Sequence, residues 1–292
     1  GFSEALYIPA GLAMIADYHD ERTRSLAIGI HMAGIYLGQA FGGFGSTISA
    51  VYSWKHAFMF FGGIGMIYAI VLLLFLRNQH TVKATNNNIV ESKQPFYSLF
   101  GSLSFWIMIL YFAIPSLPGW AIKNWAPTLI ADSLKMDMRL AGPLTTISIS
   151  LSSLLGVLIG GRISDKWFQV HTRGRMFTGA IGLFLTIPSL LMMGYGTSLV
   201  VMIAAAVLFG FGFGMFDCNS MPILCQIVPP SLRATGYGFL NTAGIFSGAL
   251  ITSYLGKSTD QGSLGADFAL LGLVVLVVLF IHLFFQKPKM IS

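Results

Sequence analysis

The chain has 292 residues, 55% of them hydrophobic and only 10% charged, with a mean hydropathy of +0.74. A soluble domain carries about 25% charged residues, so composition excludes a water-soluble globule and points to a chain solvated by lipid. The net charge of +6 does not indicate nucleic acid, because the basic residues fall in short connections between apolar runs rather than on one face.

A membrane helix needs about 20 apolar residues. Runs near that length are, in chain order, Gly1–Ala16, Ser25–Val51, Ala57–Leu76, Leu103–Ile122, Pro143–Ile163, Met176–Tyr195, Leu199–Val228, Ala234–Leu255 and Phe268–Phe285, nine in all. The first carries a single acid, Glu4, five residues before Pro9, and closes on the charged knot DYHDERTR. The second holds His31 and Gln39 beside a four-residue spacing of Gly34, Gly38 and Gly42 that predicts close helix packing.

Residues 77–102 contain TVKATNNNIVESKQ, polar and without a strong period, and read as a loop between two halves. The fourth run ends in GWAIKNWAPTL, which places Lys123 and Asn124 at its outer margin; Pro115, Pro118 and Pro127 are expected to break that helix. A broken helix often lines a cavity, so Lys123 is a candidate partner for an anion. Its bland reading is a lysine reaching for the interface between Trp120 and Trp125.

Between the fifth and sixth runs lies GGRISDKWFQVHTRGR, residues 160–175. The seventh run carries Asp217 and the cysteines Cys218 and Cys225, which stand roughly 10 Å apart along a helix axis, beyond disulfide reach. Asn241 and a second glycine pair, Gly244 and Gly248, occupy the eighth. His31, Gln39 and Asn241 could each touch a substrate hydroxyl or bond a neighbouring helix. No metal-ligand spacing, Walker-type loop or Ser/His/Asp set occurs, so neither an enzyme nor a cofactor is expected.

Alternate connections hold twelve Lys and Arg residues and the remaining ones five. The positive-inside rule puts the richer set, which includes 77–102 and the C-terminal tail, in the cytoplasm. An internal repeat then explains the odd number of spans. Gly1-x-x-Glu4-x4-Pro9 matches Gly214-x-x-Asp217-x4-Pro222. Arg24…Gly29 matches Arg233…Gly238, and AGIYLG at 33–38 matches AGIFSG at 243–248. Spans one and two therefore pair with spans seven and eight. The expected architecture is an all-α membrane bundle of twelve helices with nine visible: residues 1–76 are the last three helices of a first bundle, 77–102 the cytoplasmic loop, and 103–292 a second, six-helix bundle. The chain reads as a piece lacking three N-terminal helices.

These features resemble the major facilitator superfamily: Asp165-Lys166 and Arg173-Gly174-Arg175 look like its cytoplasmic signature, with a longer interval between the two parts. SEALYIPA followed by DERTRSLA is similar to the anion:cation symporter family, which includes sialin, the vesicular glutamate transporters and bacterial hexuronate and galactonate carriers. That resemblance implies proton coupling at Glu4, and a proton-coupled carrier of a small organic anion such as a hexuronate or sialic acid, working by alternating access as a monomer in a bacterial inner membrane. A sugar-phosphate antiporter, an uncoupled facilitator and a non-transporting receptor are the alternatives.

Of the eleven acids, Glu4 and Asp217 alone fall inside the predicted runs, at matched repeat positions 12 or 13 residues from a cytoplasmic end. An acid at that depth is costly unless protonated, paired or hydrated, which makes both candidates for carrying a proton. Arg162, Asp165, Lys166, Arg173 and Arg175 are the expected cytoplasmic gate. Lys123, Asn124, His31, Gln39 and Asn241 are the expected substrate contacts.

Overall fold

The computed structural model describes residues 2–42, 52–75 and 95–285, with the backbone alone for 2–6 and 57. Nine α-helices appear among the described residues: α1 (Phe2–Tyr18), α2 (Arg24–Gly42), α3 (Trp54–Phe75), α4 (Leu103–Leu134), α5 (Met138–Val170), α6 (Gly174–Tyr195), α7 (Leu199–Leu224), α8 (Arg233–Asp260) and α9 (Leu264–Phe285). Two short 3-10 turns, Phe96–Gly101 and Pro230–Leu232, precede α4 and α8, and no strand is present among these residues. Six helices, α3 to α7 and α9, are long and apolar enough to cross a membrane. The other three are shorter or richer in glycine and polar residues.

Local chemistry sets the boundaries. Asp137 accepts a hydrogen bond from the Arg139 amide at 2.8 Å and opens α5, and Ser198 caps α7 in the same way. Lys135, at φ 50°, ends α4 in the left-handed region. Several helices outrun their apolar windows. α4 continues to Leu134, so Lys123 lies inside it and not at its margin. α5 reaches Val170, so Arg162, Asp165 and Lys166 are helical and the connection to α6 is only 171–173.

The expected break at Pro115, Pro118 and Pro127 does not occur: α4 is one helix of 32 residues. Within a bundle, neighbouring helices and hydroxyl side chains tolerate the lost amide bonds, and here Pro115 and Pro118 are buried while Ser116 Oγ donates to the Phe112 carbonyl at 2.7 Å. α7 ends at Leu224, seven residues past Asp217, or about 10 Å; the expectation of 12 or 13 residues was too long. Residues 77–94 of the expected central loop, and 43–51 at the end of the second run, lie outside the described residues.

α7 is the centre of the assembly and packs on α5 and α6, while α2 lies across α5 and α7, and α4 lies along α8. Because lipid is as apolar as a leucine side chain, such packing depends on close contact through small residues. The eighth run meets that expectation: a side chain at Gly248 or Gly244 would strike Trp120 or Phe112 and Ser116 of α4. Gly34, Gly38 and Gly42 have nothing within 4 Å among the described residues, so the matching stripe on α2 is not used there.

Candidate functional site

The site is built on the seam where α2 meets α5 and α7. Gly29 faces the Val157 carbonyl so closely that an added Cβ would lie 2.6 Å from its oxygen; at Gly161 it would lie 2.8 Å from the Ser25 carbonyl oxygen, and at Gly160 2.8 Å from Met215 Cα. Backbone therefore rests on backbone. The buried face of α2 runs through Arg24, Ser25, Ile28, Gly29, Met32, Ala33 and Tyr36, one helical stripe.

At one end of the seam Asp165 closes the first turn of α2. Its carboxylate oxygens accept the amides of Ser25 at 3.0 Å and Leu26 at 2.8 Å. The first amides of a helix have no partner within it and carry partial positive charge, so a buried carboxylate from another helix fits that position. Arg175, fully buried, stands 3.7 Å from Asp165, donates from Nε to Ser25 Oγ at 3.2 Å and from Nη2 to the Glu21 carbonyl, and stacks 3.9 Å from the Phe168 ring centroid. Ser164 donates to Asn219 of α7, tying in the third helix.

The other predicted gate residues divide. Arg173 donates to the Leu283 carbonyl near the end of α9 at 2.6 Å. Arg162 and Lys166 are exposed and join no ion pair or side-chain hydrogen bond among the described residues. Arg24 closes α1 by donating from Nε to the Ala16 carbonyl at 3.0 Å, and its repeat mate Arg233 pairs with Asp17 at 2.9 Å. In the α1–α2 connection the Arg22 amide and the Thr23 hydroxyl hold the exposed Asp20 carboxyl below its ordinary range.

Farther along the seam, Tyr36 of α2 donates its hydroxyl to Asp217 of α7 at 2.8 Å. Tyr36 is twelve residues into α2, about 18 Å from its start. Lys123 of α4 lies within electrostatic range of Asp217, its ammonium 5.6 Å from the Trp120 ring centroid. Buried Tyr237 of α8 completes the group. α2 and α7 are thus joined at one carboxylate, with α4 and α8 contributing to its electrostatic surroundings.

Asn124 turns to α8 and donates to Thr252 Oγ1 at 2.9 Å. Gln39 and Asn241, both half-buried, follow Tyr36 and Tyr237 by three and four residues and share their helix faces. His31 stands apart: its ring is 5.9 Å from that of Tyr7 and lines a cavity of about 330 Å³ with Ile15, His19, Thr23, Leu26, Ala27 and Ile30. Glu4 lies on α1, and its side chain is outside the described residues. Sequence reasoning missed Tyr36, Tyr237, Ser25 and Ser164, because a tyrosine or serine in an apolar run is unremarkable there. For Tyr36 a signal existed, since the repeat sets it opposite Phe246.

Removing Asp165 leaves two amides unpaired and the buried Arg175 without its acid. Breaking a buried pair in this way costs about 3–5 kcal/mol. In Asp165→Ala the seam is therefore expected to open, seen as a longer distance between spin labels on cysteines replacing the exposed Arg22 and Lys166. An unchanged distance would show that the cap is dispensable.

Residues 1–253 match the family model of the Major Facilitator Superfamily. The chain is 24% identical over 305 residues to the voltage-gated purine nucleotide uniporter SLC17A9 of Mus musculus, with 100% of this chain and 67% of the relative covered. It is 24% identical over 292 residues to the probable anion transporter 3, chloroplastic, of Oryza sativa, with 89% of this chain and 54% of the relative covered. The chain thus spans between half and two thirds of these relatives. Its fold matches that of the human organic anion transporter MFSD10 with a TM-score of 0.71 at 16% identity, covering 94% of this chain and 67% of the other.

Proposed function

We propose a transport reaction for this chain, which belongs to the Major Facilitator Superfamily and is a multi-pass membrane protein, not an enzyme. The proposed reaction is proton-coupled symport of a small organic anion, a sugar acid such as a hexuronate or sialic acid, by alternating access. What supports it is an aspartate inside an apolar helix, Asp217 of α7, which accepts a hydrogen bond from Tyr36 and has Lys123 of α4 within electrostatic range. An ionised aspartate at a helix centre costs roughly 2.5–3.5 kcal/mol unless paired. Lys123 offers that pairing, and a proton on Asp217 offers the alternative.

The two charges then supply a coupling rule. While Asp217 is ionised, Lys123 is engaged with it; once Asp217 takes a proton, Lys123 is free to meet a substrate carboxylate. Gln39 and Asn241 border this group and serve substrate hydroxyls. Glu4, the repeat mate of Asp217, is assigned the same protonation role. The Asp165–Arg175 end is the cytoplasmic gate, in line with the concentration of basic residues in that set of connections, and the seam seen here is its closed state. Residues 1–76 and 103–292 act as the two rocking units.

A second reading is an anion uniporter without protons, favoured by the resemblance to SLC17A9. One experiment separates the two. Full-length protein in proteoliposomes is offered glucuronate, sialic acid and ATP, first under a pH gradient at zero potential, then under a potential without a pH gradient. Uphill accumulation in the first condition supports symport, and accumulation in the second alone supports the uniporter.

Lys123→Ala is expected to weaken uptake of the transported anion about tenfold or more, since 1.4 kcal/mol of lost pairing is one decade. Lys123→Arg should retain part of it, because charge survives while geometry changes. If uptake is unchanged in Lys123→Ala, the lysine is an interfacial anchor.

A further inference from the structure

Tyr36 sits where the closed seam ends. It is 3% exposed, and beyond it on α2 Leu37, Gly38, Phe41 and Gly42 are exposed. The other seam contacts described above, the glycine packing and the Asp165, Arg175 and Ser164 bonds to the start of α2, do not touch Asp217. The Tyr36 hydroxyl does, because it donates directly to that carboxylate. The repeat makes the arrangement more telling. The position matching Tyr36 in the second copy is Phe246, 69% exposed and without a hydroxyl, so the repeated scaffold does not itself require the oxygen.

We infer that Tyr36 is a positioning residue that ties the ionised Asp217 to α2 and so makes opening of the seam depend on whether Asp217 is loaded. The inference rests on the reading of Asp217 as the proton-carrying acid. A phenol hydroxyl bonds a carboxylate more strongly than a neutral carboxyl group, since hydrogen bonds to an ionised acceptor are roughly twice as strong. A proton on Asp217 therefore weakens the strap, as does a substrate group that draws the hydroxyl away. Among the described residues, Tyr36 of α2 bonds Asp217, and Lys123 of α4, Tyr237 of α8 and the neighbouring Cys218 of α7 lie within electrostatic range of it. Of these, Tyr36 alone reaches it from the first half of the repeat.

The test needs no substrate. Spin labels on cysteines replacing Arg22 and Lys166 report the seam by pulsed distance measurement at pH 8 and pH 5, in the reconstituted full-length protein. The parent should show a short distance at pH 8 and a growing long-distance population at pH 5. Tyr36→Phe, which removes one oxygen, should show the long population severalfold enriched already at pH 8, with little further response to pH. Asp217→Asn removes the charged acceptor and tests the same bond from its other end. The double variant should match Asp217→Asn alone, because both changes remove one interaction. A Tyr36→Phe distribution identical to the parent, or effects that add in the double variant, would overturn the assignment while leaving the proton reading intact. A parent-like pH response in Asp217→Asn would overturn both.

Discussion

In Asp217→Asn, accumulation of the transported anion under an imposed pH gradient is expected to fall to the equilibrium level, while exchange of labelled for unlabelled anion across the same membrane continues. Asparagine keeps the shape, but it cannot gain or lose a proton. The variant is thus fixed in a neutral state resembling the loaded one, with Lys123 no longer countered. Binding and the conformational cycle survive, and what disappears is the link between proton potential and direction. Uptake should also lose its dependence on pH. The measurement is the steady-state ratio of internal to external anion in proteoliposomes, with and without a pH step. If the ratio equals that of the parent, Asp217 is a structural acid and Glu4→Gln becomes the variant to examine; retention in both would mean that neither acid carries the proton.

Gly161→Val is expected to reduce uptake at least tenfold without loss of folded protein. An added Cβ at 161 would stand 2.8 Å from the Ser25 carbonyl oxygen and 2.9 Å from Leu26 Cα, and backbone atoms cannot turn aside as a long side chain can. Overpacking of this kind costs about 1–3 kcal/mol, and it falls entirely on the state in which α2 and α5 touch. The open state has no such contact, so the protein remains folded but cannot close. The labels at positions 22 and 166 should report the long distance under all conditions. Gly38→Ala serves as the control, since nothing among the described residues lies within 4 Å of that position. Transport near the parental level in Gly161→Val would mean that the seam is not part of the working cycle.

Composition was enough to read a helical membrane chain. Helix ends were harder. The apolar windows stopped at Ile122 and Ile163, whereas α4 and α5 run on to Leu134 and Val170. The extensions contain lysines, tryptophans and aspartates that a hydropathy window penalises but a helix accommodates. Prolines misled for a related reason: a breaker in water is tolerated where a packed bundle encloses it. Asp165 and Arg175 were legible because their spacing resembles a known signature. Their partner, the start of α2, was not, since a backbone amide leaves no mark in a sequence. Lys123 and Asp217 stood out as charges in apolar runs, but their convergence, and the hydroxyl joining it, depend on how α2, α4 and α7 cross.

The cap on α2 has a bearing on how the chain is made. Ser25 and Asp165 are 140 residues apart in sequence. At elongation rates of about 5–20 residues per second, α2 emerges roughly 7–28 seconds before the residue that caps it. During that interval its first amides depend on water and lipid headgroups, and its glycine face has no α5 to meet. What it does have is local: Arg24 already reaches back to the Ala16 carbonyl, which fastens α1 and α2 into a hairpin across a five-residue connection. That hairpin is the piece the nascent chain can hold ready in the bilayer, and the order of synthesis makes α5 the helix that must find it. A lesion at Arg24 should accordingly show itself first as poor biogenesis, before any carrier exists whose kinetics could be measured.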